Sequence, residues 1–114
     1  MIVYVAGPMS GLPDSNLPAF AAATEQLTEA GYVARNPGRR GADHPEWAWA
    51  DYIRRALPDL CHCDAVALLD GWEASRGAQL EVYVAKKLGM LVMPLEAWLT
   101  TLAATTTLTE EATS

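Results

Sequence analysis

The chain predicts a three-layer α/β/α fold on a doubly wound parallel sheet of four to five strands. Three observations carry that prediction. Short apolar, β-branched runs recur along the chain, and segments with helical spacing separate them. Gly and Pro punctuate the junctions. At 114 residues, 51% of them hydrophobic, the chain has enough apolar material for one core.

The elements follow in order. Ile2 to Ala6 is an apolar run stopped by Gly7-Pro8, which reads as a buried first strand. Gly7 to Pro18 is long and turn-rich, a binding loop rather than a mere connection, with Asn16 as N-cap and Pro18 in the first turn of the helix that follows. Phe20, Ala23, Leu27 and Ala30 fall at helical spacing, so the first helix covers 18 to 30 and Gly31 caps it. Tyr32 to Arg35 is a second strand, ended by Asn36-Pro37-Gly38, and 39 to 46 is loop. A second helix spans roughly Trp47 to Leu57, with Pro58 kinking or restarting it. Strand three is Ala65 to Leu69. The helix after Ser75 is expected to pack through Leu80, Val84 and Leu88 and to stop at Gly89. Met90 to Pro94 is strand four, and Leu95 to Ala104 a last helix. A fifth strand has no evident place. Strand and helix alternating in this way give a Rossmann-like (flavodoxin-like) sheet with helices on both faces. One domain, 1–104, is expected, with a Thr-rich, acidic tail at 105–114.

Composition narrows the function classes. Eight basic against fourteen acidic residues leave a net charge of −6, which offers no general attraction to a nucleic-acid polymer or an anionic membrane. Arg35, Arg39 and Arg40 form a local basic cluster, more in keeping with a solvated loop than with a phosphate contact. No apolar stretch is long enough to cross a bilayer, and Met1 runs straight into Ile2 to Ala6 without the basic start of a signal peptide. Cys61 and Cys63 stand too close for an ordinary disulfide and lack the second ligand pair of a zinc site. They read as reduced thiols of a cytoplasmic protein. Neither a metal nor another cofactor is called for. His44 and His62 have no partner at metal or triad spacing.

The chemistry concentrates in Asp70-Gly71-Trp72-Glu73-Ala74-Ser75-Arg76-Gly77-Ala78-Gln79-Leu80-Glu81, directly after strand three. Carboxyl ends of parallel strands are where ligands bind. A helix opening on Ser75 offers N–H groups and positive dipole to an anion such as phosphate. Gly77-Ala78 permits close approach to the backbone. If strands one and three are sheet neighbours, Gly7 lies beside this turn. Glu81, six residues past Ser75, is then a carboxylate able to attack an anomeric carbon, although a Glu at such a place usually faces solvent.

With these motifs the chain resembles the nucleoside 2-deoxyribosyltransferase-like group. That group includes the deoxynucleoside 5′-monophosphate N-glycosidases, and the likeness is greatest to a small branch of bacterial and bacteriophage proteins. The resemblance rests on Tyr4-Val5-Ala6-Gly7-Pro8-Met9-Ser10-Gly11, on Asn36-Pro37, on Cys63-Asp64-Ala65-Val66 and, most specifically, on Gly71 to Ala78 through Glu81 with Ala85 and Leu88-Gly89. It implies an N-glycosidic-bond enzyme in which Glu81 is the nucleophile and Tyr4 orients it. It further implies that Gly7, Met9, Ser10, Asp70, Trp72, Ser75, Gly77 and Ala78 form the substrate site. Serine at 75 implies a 5′-monophosphate, since Asp there would repel phosphate and Ser can donate to it. A small-molecule nucleotide or nucleoside as partner, and a homodimer or higher homo-oligomer, follow from the same resemblance.

The chain departs from that pattern at one point. The acidic residue expected about eight positions before Asp64, which protonates the leaving base, is Ala56. Asp51, Asp59, Asp70 and Glu73 are the nearby carboxylates. Losing a general acid costs about 10²–10⁴-fold in rate, so two other readings stand beside the enzyme. One is a nucleotide-binding module, a sensor or sequestering protein, using the same pocket. The other is an interaction protein with a vestigial site. Of the four tryptophans, Trp47 and Trp49 cannot share a helical face, so one of them is expected to be exposed or at an interface, Trp98 reads as core or dimer contact, and Trp72 stands where it could stack on a base.

Overall fold

A computed structural model describes residues 1–9, 11–38, 43–44 and 46–100. Its elements are β1 (Ile2–Ala6), a 3₁₀ turn (Pro13–Asn16), α1 (Leu17–Glu29), β2 (Val33–Arg35), α2 (Trp49–Cys61), β3 (Ala65–Leu68), a 3₁₀ turn (Trp72–Ala74), α3 (Arg76–Lys87) and β4 (Leu91–Pro94). Residues 95–100 are again helical and are called α4. Ser10, Arg39, Arg40, Leu102 and the tail at 105–114 lie outside the described residues, as does the end of the last helix.

The four strands form one parallel sheet in the order β2-β1-β3-β4. Tyr4 pairs with Val66 and Ala6 with Leu68, so β1 and β3 are central neighbours. Successive side chains on a strand point to opposite faces. Val3, Val5, Ala65 and Ala67 pack against Phe20, Ala23 and Leu27 of α1 and against Trp98 of α4. Tyr4, Ala6, Val66 and Leu68 pack against Leu60 of α2 and against Val82 and Ala85 of α3. The sheet is therefore covered on both faces, in the three layers expected. Among the described residues there is no fifth strand. Trp98 is 2% exposed, meets Tyr32 edge-on and donates from Nε1 to the Val66 carbonyl.

Several local expectations are corrected. α2 begins at Trp49 rather than Trp47 and runs unbroken through Pro58. The proline sits on the exposed face, where water can satisfy the carbonyl that its missing N–H leaves unpaired. Asn16 does occupy the N-cap of α1, but in a left-handed conformation and without a capping side-chain bond. Its Nδ2 instead donates to the Pro8 carbonyl at 2.9 Å and pins the loop after β1. The fully buried face of α3 is Ala78, Glu81, Val82 and Ala85. Of the three residues expected there, Val84 is half-buried and packs against the core, Leu80 is half-buried, and Leu88 is 57% exposed. Small alanines let this helix lie close on the sheet, and that rotation carries Glu81 inward. No helix among the described residues is long and apolar enough to cross a membrane.

Candidate active site

In a parallel α/β sheet the crevice opens where strand order reverses, outside the carboxyl ends of the strands. Here that point lies between β1 and β3, and both strand ends contribute. Gly7 follows β1 and Asp70-Gly71 follows β3. A Cβ on Gly7 would stand 2.7 Å from Leu69 Cβ, so only glycine lets the two strand ends approach this closely. Gly71 takes a left-handed φ of +85° and turns the chain into the 3₁₀ segment before α3.

The crevice is an open cleft of about 920 Å³, of the size that holds a small ligand. The loop after β1, with Gly7, Pro8 and Met9, forms one wall. The start of α3, from Ser75 to Ala78, forms a second, with Asp70 and Gly71 at its edge. His44, Trp47, Trp49 and Tyr52 close the third side, and Glu81 reaches the cleft from one turn further along α3.

Glu81 is 3% exposed and accepts a hydrogen bond from the Tyr4 hydroxyl. Burial pushes its carboxyl up to about 7, and the Tyr4 bond partly opposes that rise. Tyr4 is itself held well above its ordinary range, by burial first and then by the neighbouring carboxylate, and so stays a donor. The pair has a simple origin: position 4 is on the strand face that meets α3, and position 81 is on the helix face turned toward the sheet.

Ser75 caps α3, its Oγ accepting from the Ala78 N–H at 3.2 Å, while Gln79 N–H bonds the Ser75 carbonyl. The Ser75 hydroxyl still has its own proton to give. The Arg76 guanidinium lies 3.7 Å above the Trp49 ring, at the cleft. A cap hydroxyl, a helix N-terminus and a guanidinium thus line the same cleft as a buried carboxylate. Such a site suits a ligand carrying an anion at one end and a reactive carbon at the other.

The expected residues Tyr4, Gly7, Met9, Asp70, Ser75, Gly77, Ala78 and Glu81 are brought together around this cleft. Ser10 lies outside the described residues. Trp72 is not in the wall: it is half-buried against the core cluster containing Tyr4 and Leu68. The aromatic wall comes instead from Trp47 and Trp49, half-buried on the cleft, where the sequence suggested an exposed or interfacial ring. Trp47 stacks on His44 at 4.0 Å and carries the Arg55 guanidinium at 4.4 Å, and His44 Nδ1 lies 3.0 Å from Glu46. The missed signal was the density of aromatic residues at a helix start. In a parallel sheet, helices run back from the strand ends and therefore begin at the ligand edge.

Ala56 is 2% exposed within the core face of α2. Of the carboxylates near it in sequence, Asp70 lines the cleft, and Asp51 accepts from the Ala48 N–H at the start of α2. Cys61 and Cys63 are free thiols, and burial pushes Cys63 up to about 11. No three of His, Cys, Asp and Glu come together as a metal-binding group among the described residues.

Fold and cleft together define a three-layer α/β protein with a buried carboxylate–tyrosine pair at its topological switch point. Over residues 1–94 the chain matches the family described as Domain of unknown function (DUF4406), and it belongs to that family. No curated protein matches it.

Proposed function

We propose that this protein cleaves or transfers the N-glycosidic bond of a (deoxy)nucleoside 5′-monophosphate. The observation that carries the proposal is the placement of Glu81: buried, bonded to Tyr4, and in the wall of the same cleft as Ser75 and Arg76. In this reading the phosphate sits on the Ser75 hydroxyl, the head of α3 and Arg76. The base lies between the Gly7–Met9 loop and the tryptophan wall. Glu81, ionised, attacks C1′ and the base leaves. Water or an acceptor base then resolves the glycosyl ester. The resemblance of the Ser75-to-Glu81 turn to the nucleoside 2-deoxyribosyltransferase-like group supports the same chemistry.

The test is incubation with a panel of nucleoside and deoxynucleoside 5′-monophosphates, with chromatography for free base. Base release by the wild type, abolished in Glu81→Ala, is the expected result. Release that survives Glu81→Ala ends the proposal.

Ala56 favours a second reading, a module that holds the nucleotide intact. Calorimetry showing tight binding, with unchanged ligand recovered after denaturation, selects it over the enzyme.

A further inference from the structure

Breaking a glycosidic bond to a base leaves an electron pair on a poor leaving group, which a proton donor must meet. Among the described residues, few groups in the cleft are able to give a proton. Tyr4 is committed to Glu81. Ser75 stands at the head of α3, at the anion end. Asp70 is on the exposed rim beside Gly71. His44 is exposed, with its ring face on Trp47 and Nδ1 toward Glu46.

Tyr52 differs from all of these. It lies one helical turn before Ala56, so the two positions stack on the same side of α2. It is half-buried and lines the cleft. Its hydroxyl reaches across from α2 to the loop after β1, donating to Met9 Sδ at 3.5 Å. Tyr52 and Asp59 both act electrostatically on Tyr4. Asp59, the carboxylate on the same flank of α2, lies seven residues on, about 10 Å further along the helix, and does not line the cleft.

We infer that Tyr52 is the residue that protonates the leaving base, a catalytic role supplied from α2 by a phenol where position 56 has only a methyl group. The inference rests on the glycosidase reading given above. In the first half-reaction the Glu81 carboxylate forms a bond to C1′ and the C1′–N bond breaks. Its electron pair goes to the base, and the Tyr52 O–H proton follows onto the base nitrogen, leaving the phenolate. In the second, water attacks C1′ and the ester bond to Glu81 breaks, returning the carboxylate. The proton lost by water restores the Tyr52 hydroxyl.

The decisive variant is Tyr52→Phe, which keeps the ring and its packing. It is compared with the wild type on the deoxynucleoside 5′-monophosphates and on a 4-nitrophenyl deoxyriboside 5-phosphate, whose leaving group departs without a proton. The expected result is a loss in kcat of about 10²-fold or more on the nucleotides. On the aryl glycoside the change should stay within about threefold, as should the nucleotide Kd measured in a Glu81→Gln background. Equal turnover of nucleotides by Tyr52→Phe and wild type overturns the assignment and leaves the glycosidase reading standing. An equal loss on both substrates overturns it too, because a merely structural role predicts that pattern. No turnover of either substrate by the wild type overturns the glycosidase reading itself, and the Tyr52 role with it.

Discussion

Glu81 is a carboxylate that the fold keeps from water with the Tyr4 phenol as a hydrogen-bond partner, and two titrations should register the consequences. Its native pKa, about 7, stands above the ordinary 4.5. Between those values the folded protein holds a proton that the unfolded chain has released. Stability contributed by the neutral acid is therefore complete below pH 4.5, is lost as pH rises toward 7, and changes no further above it. The loss amounts to about 3 kcal/mol. Glu81→Gln, which cannot ionise, should flatten this slope. Denaturant unfolding should show the variant more stable than wild type at pH 8 by up to about 3 kcal/mol, with the difference shrinking toward pH 4.5. The second titration concerns function. A nucleophile must be ionised, so kcat/KM for base release should rise with pH through about 7 as Glu81 loses its proton. Tyr4 donates to the ionised form and holds the carboxyl down. Tyr4→Phe should move the midpoint of that profile upward by about one pH unit or more, as well as lowering the rate.

At the scale of elements, the cleft depends on two strand ends meeting and on one helix start. A methyl group at position 7 would meet Leu69 Cβ, an atom fixed to the neighbouring strand rather than the far end of a flexible side chain. Gly7→Ala should cost about 1–3 kcal/mol in denaturant unfolding as the strand ends part. It should weaken ligand binding as well, because the displaced backbone is the cleft wall. Ser75→Ala removes the cap of α3, a loss of about 1 kcal/mol of stability. Ser75→Asp keeps an acceptor for the Ala78 N–H and so should stay close to wild-type stability. In calorimetry, however, the aspartate should bind nucleoside monophosphates more weakly than the alanine does, since it adds repulsion to the lost hydroxyl.

For the whole molecule, the legible features were those that one local signal decides. The apolar runs at 2–6 and 65–69, cut by Gly7-Pro8 and Asp70-Gly71, gave away the two central strands. Their alternation with helical spacing then fixed a parallel sheet and the edge at which the candidate cleft opens. The turn from Ser75 to Glu81 was legible as a site because its cap and glycine sit immediately after such a strand. What local signals left open was rotation. Periodicity assigned the inward face of α3 to its largest apolar residues, whereas close packing on the sheet selected Ala78 and Ala85 and took Glu81 in with them. A lone carboxylate at helical spacing reads as solvated until its partner, on a strand 77 residues away, is in view. The aromatic wall was hidden for a related reason. Whether Trp47 and Trp49 share a helical face mattered little once Trp47 proved to precede the helix and both rings were laid along the cleft. Trp72 illustrates the converse, since its place in an active-looking turn did not outweigh its packing against the core cluster.

The contact between Arg76 and Trp49 has an optical consequence. The Arg76 guanidinium rests on the Trp49 indole, joining α3 to α2 across the mouth of the cleft. An anion seated at the head of α3 competes for that guanidinium, and drawing it off the ring alters the surroundings of the indole. Adding nucleotide should therefore change the intrinsic fluorescence in a saturable way, and Trp49→Phe should remove that change while leaving calorimetric binding detectable. The protein would carry its own gauge of occupancy, readable without a label and before any product is formed.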